Sequence, residues 1–222
     1  LDGTPYALLA PVTFFSFLQA PDDYYGSWIV HSLNRLLRFL ALIIALFLPA
    51  LYIAIVSYHY YMIPLNLLIP LAESRAKVPF PPIIEVLILE TTLEMLREAT
   101  IRLPTFIANS IGVVGGLIIG QAAVSAGVVS NIIIIVVAIT AIASFIIPNY
   151  DMSLSIRYSR FIVMFFASIF GIIGVVICSM FILAHLVVLE SLGEPYLKPL
   201  LPFSRRDFKD TLLRPALRKL RK

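Results

Sequence analysis

Four stretches of this chain are apolar over the length needed to cross a bilayer, and they constrain the fold more than any other feature. A spanning helix needs roughly 17 to 25 mostly apolar residues. Composition agrees, because 60% of the residues are hydrophobic and only 14% are charged, far less charge than soluble domains carry. We predict an all-α integral membrane fold with about four transmembrane helices, at about 36–56, 111–129, 132–148 and 161–189.

Three of these spans carry features that shape the helix. Pro49 lies inside the first span, where it removes one backbone hydrogen bond and predicts a kink. The third span ends at Pro148 and is short, so the sequence leaves open whether it crosses fully or turns back. The fourth is longer than a bilayer requires, which predicts a tilt or a projection beyond the membrane.

Glycine recurs at every fourth position in the second span, and a second stripe of small residues lies in the fourth. Four residues advance a helix by about 400°, so such glycines form a groove where another helix approaches closely. We predict that these glycines pack helices together. They are Gly112, Gly116 and Gly120 in the second span, and Gly171 and Gly174 in the fourth.

Two polar side chains, Gln121 and Ser125, lie within the same glycine-rich span. An amide that faces hydrocarbon is costly, so Gln121 should face protein or a wetted cavity. Helix packing is the simpler interpretation of this span, and a pore or ion path is the alternative.

An amphipathic helix is predicted at about 82–103, between the first two spans. One of its faces carries Glu90, Glu94, Arg97 and Glu98, and Glu98 is spaced to pair with Arg102. The helix either lies flat in the membrane interface or stands in an oligomer with its acidic stripe lining a water-filled vestibule. A solvated face with local ion pairs is the simpler interpretation of the stripe.

Glu85 differs from the other acidic residues because it falls on the apolar face of that helix. A carboxylate there needs a partner, a proton or a cation. Among the acidic residues, Glu85 is therefore the first candidate to contact a permeating ion.

Basic residues in the flanks of the spans predict that both termini face the cytoplasm. Arg35 and Arg38 precede the first span, although a loop carrying Arg157 and Arg160 argues weakly against this orientation. Segment 191–222 reads as a basic cytoplasmic tail that could lie on anionic lipid headgroups. Since topology alone explains the basic tail, nucleic acid is not predicted as a partner. The basic residues of the tail are Arg205, Arg206, Lys209, Arg214, Arg218, Lys219, Arg221 and Lys222.

The first 30 residues read as the end of a truncated cytoplasmic domain followed by an interfacial segment. There is no initiator methionine, and the opening residues read as a turn leading into an extended segment. Aromatic residues are frequent up to Trp28 and suit the membrane interface.

Motifs for catalysis and metal binding are missing from the sequence. No histidine, cysteine or glutamate pair has metal-ligand spacing, and there is no nucleophile elbow or P-loop. We expect neither an enzyme nor a cofactor. The internal repeats typical of secondary transporters are missing as well. Four spans in one copy can scarcely enclose a pathway, so conduction would require several copies around an axis.

Several strings along the chain are long and ordered. They are LDGTP at 1–5, APVTFF at 10–15, QAPDDYY at 19–25, LREA at 96–99, IRLP at 101–104, GQAAV at 120–124 and ASF at 143–145. Together they resemble the GerA family, the A subunits of bacterial spore germinant receptors, over essentially the whole chain.

The resemblance implies an inner-membrane protein of endospore-forming bacteria. Its partners would be a transporter-like B subunit and a lipoprotein C subunit, and a cytoplasmic domain would precede the segment. It also implies a homo-oligomeric ring, with a pentamer as the expected size, that acts as a nutrient-gated channel for monovalent cations. A paralogue of the stage V sporulation operon, the SpoVAF type of accessory germination channel, shares these motifs and is not separated from the receptor subunits.

Three function classes remain for the chain. In a channel-forming subunit, the glycine-rich span packs or lines the pore, Gln121 and Ser125 contact ions or neighbours, and Glu85, Glu90 and Glu94 attract cations. In a non-conducting scaffold, the same seams hold a sensor and a lipoprotein together. A small transporter would need saturable flux, and the sequence names no substrate.

Overall fold

The computed structural model describes residues 10–104, 115–116, 118–203 and 211, and most of these residues are helical. Two short strands, β1 (Glu190–Ser191) and β2 (Glu194–Pro195), pair antiparallel after the last helix. The helices are α1 Trp28–Tyr58, α2 Leu65–Arg75, α3 Pro82–Ile101, α4 Asn131–Ile146, α5 Tyr150–Phe170 and α6 Ile172–Val188.

The glycine-rich span is described in part, at 115–116 and 118–125, and these residues are helical. We call this part the glycine segment. Gly112 and the basic residues of the tail lie outside the described residues.

Hydrogen bonds at one end of the bundle fix the directions of α1, α4 and α5. The Tyr58 hydroxyl donates to the carbonyl oxygens of Ser168 (2.5 Å) and Ile169 (3.2 Å), so α1 and α5 end at the same level. The Tyr52 hydroxyl lies 3.5 Å from that of Ser130, just before α4 begins. Therefore α4 runs antiparallel to α1 and α5.

Helix α3 runs through the bundle beside α4 and in the same direction. Near its start, Glu85 accepts a hydrogen bond from the Ser130 amide, and near its end Arg97 donates to the Ser144 hydroxyl. These contacts span the length of α4 (Asn131–Ile146). Helix α3 therefore runs alongside α4 and does not lie across the end of the bundle. That its acidic stripe lines a vestibule in an oligomer stays a prediction.

The glycine segment runs in the opposite direction to α3 and α4. A Cβ atom on Gly115 would lie 3.1 Å from Leu96 near the end of α3, whereas one on Gly120 would lie 3.8 Å from Ile134 near the start of α4. Among the described residues, the helices that run along the bundle are α1, α3, this segment, α4, α5 and α6, six in all, and they alternate in direction in chain order. An even number of passes returns the chain to its starting side.

Contacts between the two ends of the described chain agree with this count. The Phe14 amide donates to the Tyr196 carbonyl (2.8 Å), and the Val12 amide donates to the Ser191 hydroxyl (3.2 Å). The segments before α1 and after α6 therefore lie on the same side of the bundle.

Helices α1 and α5 are long and apolar enough to cross a membrane. Helices α4 and α6 are apolar but shorter, with 16 and 17 residues. Alanines on α1, among them Ala45 and Ala50, are fully buried in the core that α4 and α5 share. Small residues at these positions let the neighbouring helices approach closely.

The predicted fourth span at 161–189 differs from the structure, which has two helices there. Gly171 has φ +63° and ψ −140°, a conformation that ends α5 and that essentially only glycine adopts. Gly174 then lies so close to the Phe166 carbonyl that a Cβ atom would be 2.1 Å from its oxygen. Because 166 and 174 would be about 12 Å apart in a continuous helix, α6 folds back along α5.

Helix α5 begins at Tyr150, earlier than the predicted start of the span at 161. The Asn149 side chain accepts a hydrogen bond from the Met152 amide (2.9 Å), an N-cap that starts the helix at Tyr150. Arg157 and Arg160, placed by the sequence in a loop, are buried inside a helix. Their weak argument against the predicted orientation therefore does not apply.

Candidate functional site

A group of charged side chains joins α3 to α5 inside the bundle. We call it the charge cluster: Glu90, Glu94 and Arg97 from α3, with Arg157 and Arg160 from α5. Glu90 and Arg160 are the most buried, with 2% of each side chain exposed. Charges at such depth persist only when they are paired and hydrogen-bonded.

Every carboxylate of the charge cluster is paired with arginine. Arg160 Nη2 lies 2.9 Å from Glu90 Oε2 and 3.5 Å from Glu94 Oε1. Glu94 also receives Arg157 Nη1 at 2.8 Å and Arg97 Nη1 at 3.1 Å. Glu94 is thus the shared acceptor of three guanidinium groups.

Helix α4 contributes uncharged contacts to the same cluster. Arg97 Nη2 donates to the Ser144 hydroxyl at 3.2 Å, and its guanidinium carbon lies 4.6 Å from the centre of the Phe145 ring. A guanidinium at that distance from an aromatic face is attracted by a cation–π interaction. The cluster therefore ties α3 to both α4 and α5.

Two residues of the acidic stripe of α3 are paired with arginines inside the chain. Glu90 and Glu94 face arginines of the same chain, and so within the chain they form no open acidic surface. Farther along the helix, the predicted pair of Glu98 with Arg102 is confirmed, with a 2.6 Å contact. That Glu90 or Glu94 contacts permeating ions stays a prediction.

Sequence reasoning missed Arg157 and Arg160 as site residues because a spanning helix is recognised by its apolar length, and the two arginines precede the apolar run. A usable signal was present: Asn149 is a good N-cap residue, and the two arginines are three apart, on one helical face. The i, i+4 spacing of Glu90 and Glu94 matches that face.

Glu85 is fully buried at the opposite end of α3 and contacts two residues of the same chain. Its Oε2 accepts the Ser130 amide at 2.9 Å, and Arg75 of α2 lies 3.5 Å from its Oε1. The sequence predicted that this carboxylate needs a partner, but it did not predict α2. Contact of Glu85 with an ion stays a prediction.

The glycine segment places its small and its polar residues on different faces. Gly116 and Gly120 line an apolar cavity of about 270 Å³ between this segment, α3 and α4. Among the described residues, no atom lies within 4 Å of where a Gly116 Cβ would be. Gln121 and Ser125 are exposed, because they are turned roughly 100° to 180° away from the glycines on a helix.

A second charged centre, around Asp23, lies just before α1. The buried Asp23 carboxylate accepts hydrogen bonds from Arg38 (2.7 Å), Arg35 (3.3 Å) and the Ala20 amide (3.1 Å). Burial raises the pKa of Asp23, but these hydrogen bonds and the Arg38 charge outweigh it and hold the pKa below its ordinary value of 3.8. The centre fixes the entry of the chain into α1.

Asp23 should make the stability of the protein sensitive to acid. Because its pKa is lowered on folding, its contribution is present above the ordinary value and is lost as the pH falls through the folded-state value. We expect Asp23→Asn to lower the free energy of unfolding at pH 7 by about 1–3 kcal/mol and to reduce its acid dependence. Thermal unfolding of the full-length protein at pH 7 and pH 3 measures both effects, and the exposed neighbour change Asp22→Asn is the control. An equal loss in both variants would contradict the role of Asp23.

In the part of the chain that the structure describes, no three histidine, cysteine, aspartate or glutamate side chains are grouped to hold a metal ion. The two charged centres are built from arginine and carboxylate pairs. What they do chemically is position helices, by charge-assisted hydrogen bonds.

Comparison with known proteins gives strong matches. The model of a family described as Bacillus/Clostridium GerA spore germination protein matches residues 1–222. Spore germination protein A1 of Bacillus subtilis is 46% identical over 214 residues, covering 96% of this chain and 44% of that protein. GerQA, a spore germination protein of Bacillus cereus, is 46% identical over 214 residues, covering 96% of this chain and 43% of that protein.

A third relative is YfkQ, a membrane protein of Bacillus subtilis described as uncharacterised. It is 46% identical over 213 residues, covering 96% of this chain and 42% of that protein. The chain thus spans less than half the length of these relatives. No solved structure matches it. The apolar helices and this relative together support a membrane location.

Proposed function

Because this chain belongs to the GerA family of spore germination proteins, we propose that it is the membrane part of a channel-forming germinant receptor subunit. Several copies, with five as the expected number, surround a path that releases monovalent cations when nutrient is sensed. A transporter-like B subunit and a lipoprotein C subunit are the proposed partners. The proposed location is the inner membrane of the spore, with both termini on the core side.

The exposure of Gln121 and Ser125 is the observation that carries this proposal. Both lie on an apolar helix, one turn apart and on the outside of the single chain. A carboxamide that faces lipid at this depth is costly. A second copy or a water-filled path between copies would satisfy it, which supports an oligomer with these residues at the path.

In this proposal the paired charges inside the chain do not line the path. Glu90 and Glu94 are occupied by arginine, so they suit a rigid frame better than an ion path. The path would then be narrow and mostly apolar, and gating would act on its width and hydration.

Replacing Gln121 tests conduction directly. Full-length protein is purified with its partner subunits, placed in liposomes loaded with K⁺ or Na⁺, and exposed to a mixture of amino acids and sugars. We expect Gln121→Leu to lower cation efflux at least tenfold and Gln121→Glu to change the ratio of K⁺ to Na⁺ efflux, because the group at the path has changed charge. Leu183→Gln, on the exposed face of α6, is the control, and crosslinking checks that all variants assemble alike.

Unchanged efflux and an unchanged ion ratio in both Gln121 variants would overturn the assignment of this residue to the path. If correctly assembled complexes release no cation at all, the channel proposal fails. In that case the scaffold that holds a sensor and a lipoprotein is favoured. The pairing of Glu90 and Glu94 within the chain is the observation that favours this second candidate.

A further inference from the structure

The charge cluster holds one more positive charge than it can pair. Three arginines face two glutamates, and each glutamate already contacts at least one arginine, while the buried Glu90 Oε1 has no hydrogen-bond partner among the described residues. One turn beyond Glu94 on α3, Glu98 is paired with Arg102 at 2.6 Å. An excess cation among apolar helices is costly unless a counter-charge lies beside it.

A small cavity lies at the edge of this cluster, between the second half of α3 and the first half of α5. Its volume is about 40 Å³, room for about three water molecules or for one small anion. Its polar and charged lining consists of Glu94, Arg97, Glu98, Tyr150, Arg157 and Tyr158.

Arg157 lines this cavity, and one of its guanidinium N–H groups has no hydrogen-bond partner among the described residues. Only 7% of its side chain is exposed, and one guanidinium nitrogen, Nη1, is engaged by Glu94. Its Nε is buried, and among the described residues it has no hydrogen-bond partner. A buried unpaired donor costs about 1–3 kcal/mol, and the planar guanidinium fork matches the geometry of an oxyanion.

Two exposed tyrosines of the cavity lining suit the neighbourhood of a lipid headgroup. Tyr150 and Tyr158 are 55% and 66% exposed, and Arg102 lies at the end of α3. Tyrosines mark the level at which apolar chains meet headgroups. The lining holds Arg97 and Arg157 beside Glu94 and Glu98, and arginines between membrane helices bind anionic headgroups.

We propose that this cavity binds one small oxyanion of the phosphate class, supplied by a lipid headgroup or by free phosphate. The oxyanion balances the surplus charge of the cluster and accepts from Arg157. The site is independent of whether the protein conducts cations. It makes the α3–α5 junction sensitive to the anionic content of the membrane.

The test compares binding of two probes to full-length protein in nanodiscs of phosphatidylcholine. Native mass spectrometry counts retained phosphatidylglycerol, and equilibrium dialysis with radioactive phosphate measures the free ion. We expect about one anion per chain. Preference for phosphatidylglycerol over phosphatidylcholine of at least tenfold identifies a lipid source, and phosphate binding without that preference identifies the free ion.

Two variants separate the site from the general charge of the protein. Leu154→Trp fills the cavity and leaves every charge in place, because Leu154 is an apolar lining residue. We expect it to lower occupancy at least tenfold, and Arg157→Gln to do the same. Ile162→Trp, on the exposed side of the same helix, is the matched control. If Arg157→Gln fails to fold, the occupancy measured for Leu154→Trp alone tests the site.

Two results would overturn the proposal. One is that the wild-type protein retains neither phosphatidylglycerol nor phosphate at about one per chain. The other is that Leu154→Trp binds as much of either probe as Ile162→Trp does.

Discussion

Arg160→Met is expected to destabilise the protein by about 3–5 kcal/mol, because it leaves the Glu90 carboxylate buried without its cation. Glu90 Oε2 lies 2.9 Å from Arg160, and each side chain is 2% exposed. Glu94 retains Arg97 and Arg157, so the loss falls mainly on Glu90. Titration of the full-length protein with sodium dodecyl sulfate, followed by circular dichroism, measures the change in the free energy of unfolding.

Two companion variants make this prediction specific. The double variant Glu90→Leu with Arg160→Met should recover most of the stability, because apolar residues of similar volume replace a buried pair with little net cost. Arg102→Met removes an exposed pair, Glu98 with Arg102, and should cost less than about 1 kcal/mol. If Arg160→Met lowers the free energy of unfolding no more than Arg102→Met does, the charge cluster does not hold α3 to α5.

Gly174→Ala is expected to cost about 3 kcal/mol or more, because overpacking alone costs about 1–3 kcal/mol and the obstacle here is backbone. The new Cβ would lie 2.1 Å from the Phe166 oxygen and 3.0 Å from the Phe170 Cβ. Neither atom is the end of a flexible side chain, so the turn from α5 into α6 must open. The same detergent titration measures the loss.

Gly116→Ala is the matched control for that substitution. It also adds one methyl group to a helical glycine, but among the described residues nothing lies within 4 Å of the new atom. We expect its stability to stay the same or to rise by up to about 1 kcal/mol, since alanine favours a helix. Equal losses in the two variants would show that the close approach at Gly174 does not hold the turn.

Much of the helical framework could be predicted from the sequence. The span at 36–56 lies inside α1, the amphipathic helix at 82–103 matches α3, and 132–148 matches α4. Apolar length and turn residues are local properties, so they are readable without knowledge of the fold. The pairing of Glu98 with Arg102 was predictable for the same reason, because the i, i+4 spacing brings them together on any helix.

The candidate site was predicted less well than the framework. Glu85, Glu90 and Glu94 were identified, but their arginine partners on α2 and α5 were not. Arg75 and Glu85 are ten residues apart and Glu90 and Arg160 are seventy apart, so no local spacing links them. The break at Gly171 was missed because a glycine inside an apolar run reads equally well as a packing residue.

The sequence by itself determined that this is an α-helical membrane chain of the GerA family, because hydropathy, helical period and family motifs are properties of the linear sequence. The tertiary structure alone decided that α3 stands inside the bundle, that its acidic face meets arginines of α5, and that α6 folds back at Gly171. These features depend on which helix faces which. That choice is made by burial and charge pairing between residues that only the folded chain brings together.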